Sequence, residues 1–395
     1  MHDAAARAAH GLGDRLGEAN ALSDLGRVRH MSGAVSAAAA LSERALTIYQ
    51  EIGDRLGEGN AHYERGRVRL GSGDLAGGAA LFEQALTVYQ EVGDLLGEAN
   101  AVWNLARARL ASGELAAASA LSERALTVYR LIGDRHGEAN ALCDMGRARH
   151  STGDSPGAVA LMEQARALFR SLGEIQGEAH VLSDLGYIAV ASGDLAAAAS
   201  VSERALAIYQ DIGNRHGEAN ILHTLGRLRL AAGDVPTATA LLERGLAIHQ
   251  ELRNRQGEAA SLHDLGRAGQ AAGDLPAAAA LLERSLALYQ AGGGRQGEVE
   301  VLNSLGGLLA ESTGPREALA VYRQAVVLAR DLRSPVDEAR ALEGAARCAA
   351  ALGDNRAALA DLRQAVALYQ RTGAPEAAAA AARLAVMRAE EAGDS

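Results

Sequence analysis

The sequence predicts an all-α solenoid of stacked antiparallel helix pairs, and two observations carry that expectation. The first is a 40-residue period: Gly13-Asp14-Arg15-Leu16-Gly17-Glu18 returns at 53–58, and again as Gly-Asp-Arg-His-Gly-Glu at 133–138. Glu18 recurs as Glu58, Glu98, Glu138, Glu178, Glu218, Glu258, Glu298 and Glu338 without exception. Self-similarity at a period of roughly 20–50 residues marks a chain whose units bury their faces against their neighbours. The second is composition: 48% of the 395 residues are hydrophobic but only 3% aromatic, so Ala and Leu carry the packing. Such residues lose little freedom in a helix, and Ala lets backbones approach. Function is then expected along a surface, not in one pocket.

Each repeat reads as two helices. Asp14, Asp54, Asp94, Asp134, Asn214, Asn254 and Ser334 stand where an N-cap side chain accepts from free backbone N–H groups, so helix A starts there. Pro335 follows Ser334 at a position where its missing N–H costs nothing. The recurrent Glu falls in the first turn, where the helix dipole favours it. Helix A is expected to stop at the glycines at 33, 73, 113, 153, 193, 233, 273 and 353, which can adopt the left-handed conformation.

Helix B then begins at Asp74, Asp154, Asp194, Asp234, Asp274 and Asp354, with Pro156, Pro236 and Pro276 in its first turn. Ala38, Leu41, Ala45 and Ile48 give it one apolar stripe, and it closes at Gly53 and its equivalents. Gly17 and Gly26 lie inside helix A, where each costs about 0.5–1 kcal/mol relative to Ala. Close approach of a neighbouring helix backbone is the expected compensation.

The net charge of −10, with every basic residue Arg and no Lys, argues against a nucleic-acid partner. Cys143 and Cys348 are the only cysteines and lie far apart in the array, and no signal-peptide apolar core precedes residue 20. No stretch is long and apolar enough to span a membrane. The expectation is a reduced, soluble, cytoplasmic protein.

The motif Leu22-x-x-Leu25-Gly26, with Ala38 and Ala45 in the following helix, resembles the tetratricopeptide repeat. At 40 residues per unit the chain looks like the long variety found in kinesin light chain and in the Leu-Gly-Asn-repeat regulator of spindle orientation. Leu stands where the family often has Trp, and Arg29 where it often has Tyr. The resemblance implies a right-handed superhelix with helix A on the concave side. Residues 1–12 read as a leading half-repeat, 13–372 as nine repeats, and 373–395 as a capping helix opened by Pro375 and carrying Arg383, Arg388, Glu390 and Glu391.

The resemblance also points to helix A positions that bind partners, here 20, 23, 24, 27, 30 and 31 with their equivalents. Asn fills the first column at Asn20, Asn60, Asn100, Asn140 and Asn220. Acids or Asn fill the third at Asp24, Glu64, Asn104, Asp144, Asp184 and Asp264, and Arg the fourth at Arg27, Arg67, Arg107, Arg147, Arg227 and Arg267. Amide ladders can bond an extended peptide regardless of its sequence, and Arg adds bidentate recognition of carboxylate or phosphate. Alternatively Asp24 and Arg27 pair with each other and simply keep the face solvated.

Tyr63 and Trp103 occupy the second column in adjacent repeats, as binding anchors or as packing. His223 and His263 follow in that column, yet no HxxxH or HExxH spacing supports a metal centre, and no metal or other cofactor is expected. Beyond about residue 294 the columns turn bland, with Ser304, Gly307 and Ala310, so binding is expected to centre between about 20 and 270.

No catalytic motif is present, neither G-x-S-x-G nor a Walker loop. The expected function is a non-enzymatic scaffold holding an extended peptide or partner segment in the groove. A sensor arm recognising a small signalling peptide is the alternative, with a groove enzyme or metal site at His223 and His263 behind both. Self-assembly through the Ala-rich ends is a third, structural possibility; the expected state is a monomer or weak homo-oligomer.

Overall fold

In the computed structural model, which describes residues 2–32 and 34–393, all regular structure among the described residues is helical. A short opening helix, α1 (His2–Leu12), precedes the pairs. The A helices are α2 (Arg15–Met31), α4 (Arg55–Gly71), α6 (Leu95–Ala111), α8 (Arg135–Ser151), α10 (Ile175–Ala191), α12 (Arg215–Ala231), α14 (Arg255–Ala271), α16 (Arg295–Ser312) and α18 (Pro335–Ala351). The B helices are α3 (Val35–Ile52), α5 (Leu75–Val92), α7 (Leu115–Ile132), α9 (Ser155–Leu172), α11 (Leu195–Asp211), α13 (Val235–Glu251), α15 (Leu275–Gly292), α17 (Pro315–Asp331) and α19 (Asn355–Thr372). The last helix, α20 (Ala377–Gly393), starts two residues after Pro375, which sits in a turn and does not open it.

The capping chemistry follows the sequence closely. Asp14, Asp54, Asp94, Asp134, Asn214 and Asn254 each accept from the backbone N–H three residues on, as do Asp74, Asp154, Asp194, Asp234, Asp274 and Asp354 at the starts of B helices. Ser334 is the exception: its hydroxyl donates to the Asp337 carboxylate at 2.6 Å and caps no backbone group. Pro335 already lacks one N–H at that end, which lessens the need for a cap. Gly73, Gly113, Gly153, Gly193, Gly233, Gly273 and Gly353 all take positive φ. Gly33, expected to behave likewise, lies outside the described residues, as do the side chains of Glu390 and Glu391.

The interior glycines meet side chains before the backbone approach that was expected, which is itself present at Gly226 and Gly266, where the Ala238 and Ala278 carbonyl oxygens would stand 3.3 Å from a Cβ. A Cβ on Gly57, Gly97 or Gly137 would fall within 2.5 Å of the ring of Tyr49, Tyr89 or Tyr129, eight residues earlier on the preceding B helix. Gly66, Gly226 and Gly266 similarly face Phe82, Leu242 and Leu282 side chains at 2.6–2.7 Å. Side chains, not helix backbone, occupy the space first.

The recurrent Glu does more than meet the helix dipole. Glu98 accepts from Gln90 on the preceding B helix at 3.1 Å and pairs with Arg124 on the following one, and Glu258 repeats this with Gln250 and Arg284. One carboxylate therefore ties three helices, and Glu18 and Glu58 are buried.

The chain divides into two compact units, residues 1–208 and 209–395. In the first, consecutive A helices from α2 to α10 touch one another, whereas successive B helices make no comparable contact; in the second, α12, α14, α16 and α18 do the same. A helices thus form the inner layer of each unit. Its core is Ala and Leu rich, with Leu142, Met162 and Leu182 fully buried in the first unit and Leu222, Leu242 and Leu262 in the second.

Candidate interaction surface on the A helices

The inner layer carries the predicted columns, and the structure pairs them with each other. Arg27 meets Asp24 at 2.7 Å, Arg67 meets Glu64 at 3.1 Å, Arg147 meets Asp144 at 2.7 Å and Arg267 meets Asp264 at 3.0 Å, all three residues apart on one helix. Arg107 donates instead to Asn104 Oδ1 at 3.3 Å. Arg147 also reaches Asp184 in the next repeat at 2.7 Å, and Arg227 lies 3.7 Å from Asp264. The solvated pairing weighed from sequence is therefore present.

The two partners are not equally accessible. Asp144 and Asp264 side chains are 6% and 5% exposed, while Arg147 and Arg267 stand at 46% and 45%. At these two pairs the carboxylate sinks into the layer and holds a guanidinium facing outward. The first repeat differs, since Asp24 is 41% exposed beside Arg27 at 53%.

A second set of bonds runs between repeats, each spanning 41 residues. Trp103 Nε1 donates to Asp144 Oδ2 at 2.7 Å, and Asn104 Nδ2 donates to Tyr63 Oη at 2.9 Å. His263 Nε2 lies 2.8 Å from Ser304 Oγ, and His223 Nε2 lies 2.8 Å from Asp264 Oδ2. Trp103 packs on the core of the first unit with Arg107 over its ring at 5.3 Å. It is built into the stack, so its removal is expected to lower stability, unlike a purely exposed anchor.

Burial raises the Asp264 carboxyl, but the His223 contact and the charges of His263 and Arg227 outweigh it and hold the group down at about 2. Burial pulls the His263 imidazole down to about 4, against the opposing pull of Asp264. The four groups form one polar knot. Among the described residues no group of three His, Cys, Asp or Glu side chains is placed to hold a metal ion. Cys143 and Cys348 are free and buried, and burial pushes the Cys143 thiol up to about 12.

The asparagine column turns out to be shared with residues that sequence reasoning passed over. Tyr49, Tyr89 and Tyr129, near the ends of B helices, donate their hydroxyls to Oδ1 of Asn20, Asn60 and Asn100 at 2.7, 2.8 and 2.8 Å. Each ring also lies over the glycine of the next repeat. Tyrosine recurring at 49, 89, 129, 209, 289 and 369 was the visible signal for this lock.

Cavities open along the inner face of both units. In the first, one of about 550 Å³ is lined by Asn20, Asp24, Arg27, Asn60, Tyr63, Glu64 and Asn100, and another of about 390 Å³ by Trp103, Arg107, Asn140, Asp144 and Arg147. In the second, a cavity of about 470 Å³ gathers His223, Arg227, His263, Asp264 and Arg267 with Glu300, Asn303, Asp337 and Arg340. Arg67, Asn104, Asp184 and Asn220 line none of these three. Polar lining continues past residue 294, where the columns were expected to turn bland, because Glu300, Asn303 and Arg340 replace the earlier pattern with other charged and amide groups.

Comparison with known proteins matches this architecture. The family described as Tetratricopeptide repeat matches residues 57–131, 99–171, 177–251 and 219–291, together more than half of the chain. No curated protein matches. Among solved structures, the apo form of the quorum sensor NprR from B. thuringiensis aligns with TM-score 0.63 and 16% identity, covering 79% of this chain and 88% of its own. Aspartyl phosphate phosphatase F from Bacillus subtilis gives 0.60 at 12% identity, covering 75% and 76%. The Rap conjugation gene regulator of plasmid pLS20, in complex with the Phr* peptide, gives 0.56 at 15% identity, covering 71% and 76%. At these identities the likeness is one of fold. No helix among the described residues is long and apolar enough to cross a membrane.

Proposed function

We propose, from the premise that this chain belongs to the tetratricopeptide repeat family, that it is a non-enzymatic interaction scaffold holding an extended peptide segment of a partner on its A-helix face. The observation that carries the reading is the arrangement of Arg27, Arg67, Arg107 and Arg147 in the first unit. Each is held by an acid or amide three residues earlier, and each leaves a third or more of its side chain open. Pre-oriented guanidiniums lose little entropy on binding and recognise carboxylates bidentately. An acidic segment fits such a row best. The groups proposed to meet it in the first unit are the acids and guanidiniums from Asp24 to Arg147 with Trp103 and Asn140, but not Asn20, Asn60 and Asn100, which tyrosine hydroxyls already bond; His223 to Arg267 form a separate stretch in the second unit.

A second reading, reception of a small signalling peptide, draws on one observation: the similarly folded Rap regulator of pLS20 is a complex with the Phr* peptide. Both readings place a peptide on the same face, and the length and source of the peptide separate them.

Selection of a random dodecapeptide phage library on the full chain tests the proposal. Enriched peptides are expected to be acidic and to lose about tenfold in affinity on Arg107→Ala, the effect of one charged hydrogen-bonded contact. Glu123→Ala, on the exposed side of α7, is expected to leave affinity unchanged. Failure to enrich any peptide, or equal sensitivity to both substitutions, contradicts the reading.

A further inference from the structure

The five column asparagines are alike in sequence but not in what their carboxamides bond. Asn20, Asn60 and Asn100 each spend Oδ1 on a tyrosine hydroxyl. At the equivalent of that tyrosine, the fourth repeat has Phe169 and the sixth has His249. Phe169 keeps the packing role of the ring: it is 3% exposed and sits 2.4 Å from where a Cβ on Gly177 would stand, as the tyrosines do over Gly57, Gly97 and Gly137. Only the hydroxyl is missing. Among the described residues, none bonds the Asn140 carboxamide.

We infer that Asn140 is the open rung of the first unit, the position at which the main chain of a bound extended peptide is gripped, because Phe169 leaves its carboxamide unlocked. The inference rests on the reading of the A-helix face as a peptide groove. A free carboxamide offers one acceptor and two donors, the complement of the N–H and C=O of a single peptide group. At the tyrosine-locked asparagines the hydroxyl already takes one acceptor site of Oδ1 and fixes the carboxamide in place, so less of it is free to turn toward a peptide group.

The surroundings of Asn140 favour the same assignment. It lies in the cavity of about 390 Å³ lined also by Trp103, Arg147, Phe169, Gln176 and His180. Trp103 and Phe169 give one part of that lining an apolar surface beside the carboxamide. Asn220 is also unlocked, since His249 turns Nδ1 toward Asn254 at 3.3 Å, but Asn220 lines none of the cavities described in the second unit.

The test uses peptides enriched from the random dodecapeptide library on the wild-type chain, and reads their affinity by fluorescence anisotropy. Asn140→Ala is expected to cost about tenfold, the loss of main-chain hydrogen bonding at one rung. Phe169→Tyr restores the missing hydroxyl and is expected to cost about as much, with a melting temperature equal to or above wild type, which separates relocking from unfolding. Asn60→Ala should change affinity less than about threefold. N-methylation of the peptide group that faces residue 140 should weaken binding to wild type but not to Asn140→Ala.

Wild-type affinity in Phe169→Tyr, or an Asn60→Ala loss equal to that of Asn140→Ala, overturns the inference while leaving the groove intact. Absence of any enriched peptide removes both.

Discussion

Gly57, Tyr49 and Asn20 form the smallest working part of the molecule. The Tyr49 ring lies on Gly57 of the next repeat while its hydroxyl bonds Asn20 of its own, so one side chain joins three helices. Gly57→Ala drives a methyl into that ring and is expected to destabilise by about 1–3 kcal/mol, read as a shifted urea midpoint. Tyr89→Phe removes only the bond to Asn60 and should cost about 1 kcal/mol. Trp103→Ala loses both half-buried packing and the bond to Asp144, and should cost about 2–4 kcal/mol. An unchanged melting temperature in Trp103→Ala would show the indole to be a free anchor. The column residues themselves were legible in the sequence, because period alone aligns them. Their bonding was not: a bond between residues 29 apart needs the geometry of helix packing, and burial of Asp144 beneath Arg147 does not show in a residue type.

Helices were the most legible level, since most begin at an acid or amide, Ala34, Gly294, Gly314 and Ser334 being exceptions, and end at a glycine whose physical roles are fixed by backbone chemistry. Two ends break the pattern. Arg253 and Arg333 occupy the left-handed position that glycine fills at Gly53 and Gly93, with φ 54° at both. A non-glycine residue there carries about 1 kcal/mol of strain, so Arg253→Gly is expected to raise stability by about 0.5–1 kcal/mol in urea unfolding. Asp74→Ala removes a cap and should lower it by about 1 kcal/mol. Ser334 shows the limit of reading caps from sequence, because a nearby acid, Asp337, competes for its hydroxyl.

The whole molecule couples its stability to pH through buried imidazoles. Burial lowers His62, His249 and His263, the last to about 4. Above pH 6.5 each is neutral in both states and imposes no penalty. As pH falls below 6.5 the unfolded chain binds protons that the folded chain resists, so stability is expected to decline between about 6.5 and 4. His263 alone accounts for up to about 3 kcal/mol of that decline, and His263→Gln should flatten it. Asp264, held at about 2, acts later: its contribution is present above about 4 and disappears as pH falls through 2. Urea midpoints at pH 7.5, 6 and 4.5 read the first effect directly. At this scale the proposed function rests on the A-helix face of the first unit as a peptide-binding surface. The most direct test is a crystal structure of the chain with an enriched peptide. The account predicts an extended peptide along the A helices, its main chain bonded to Asn140 and its acids to outward guanidiniums such as Arg107 and Arg147. A peptide seated on the B-helix side, or bound as a helix away from these rungs, would contradict it.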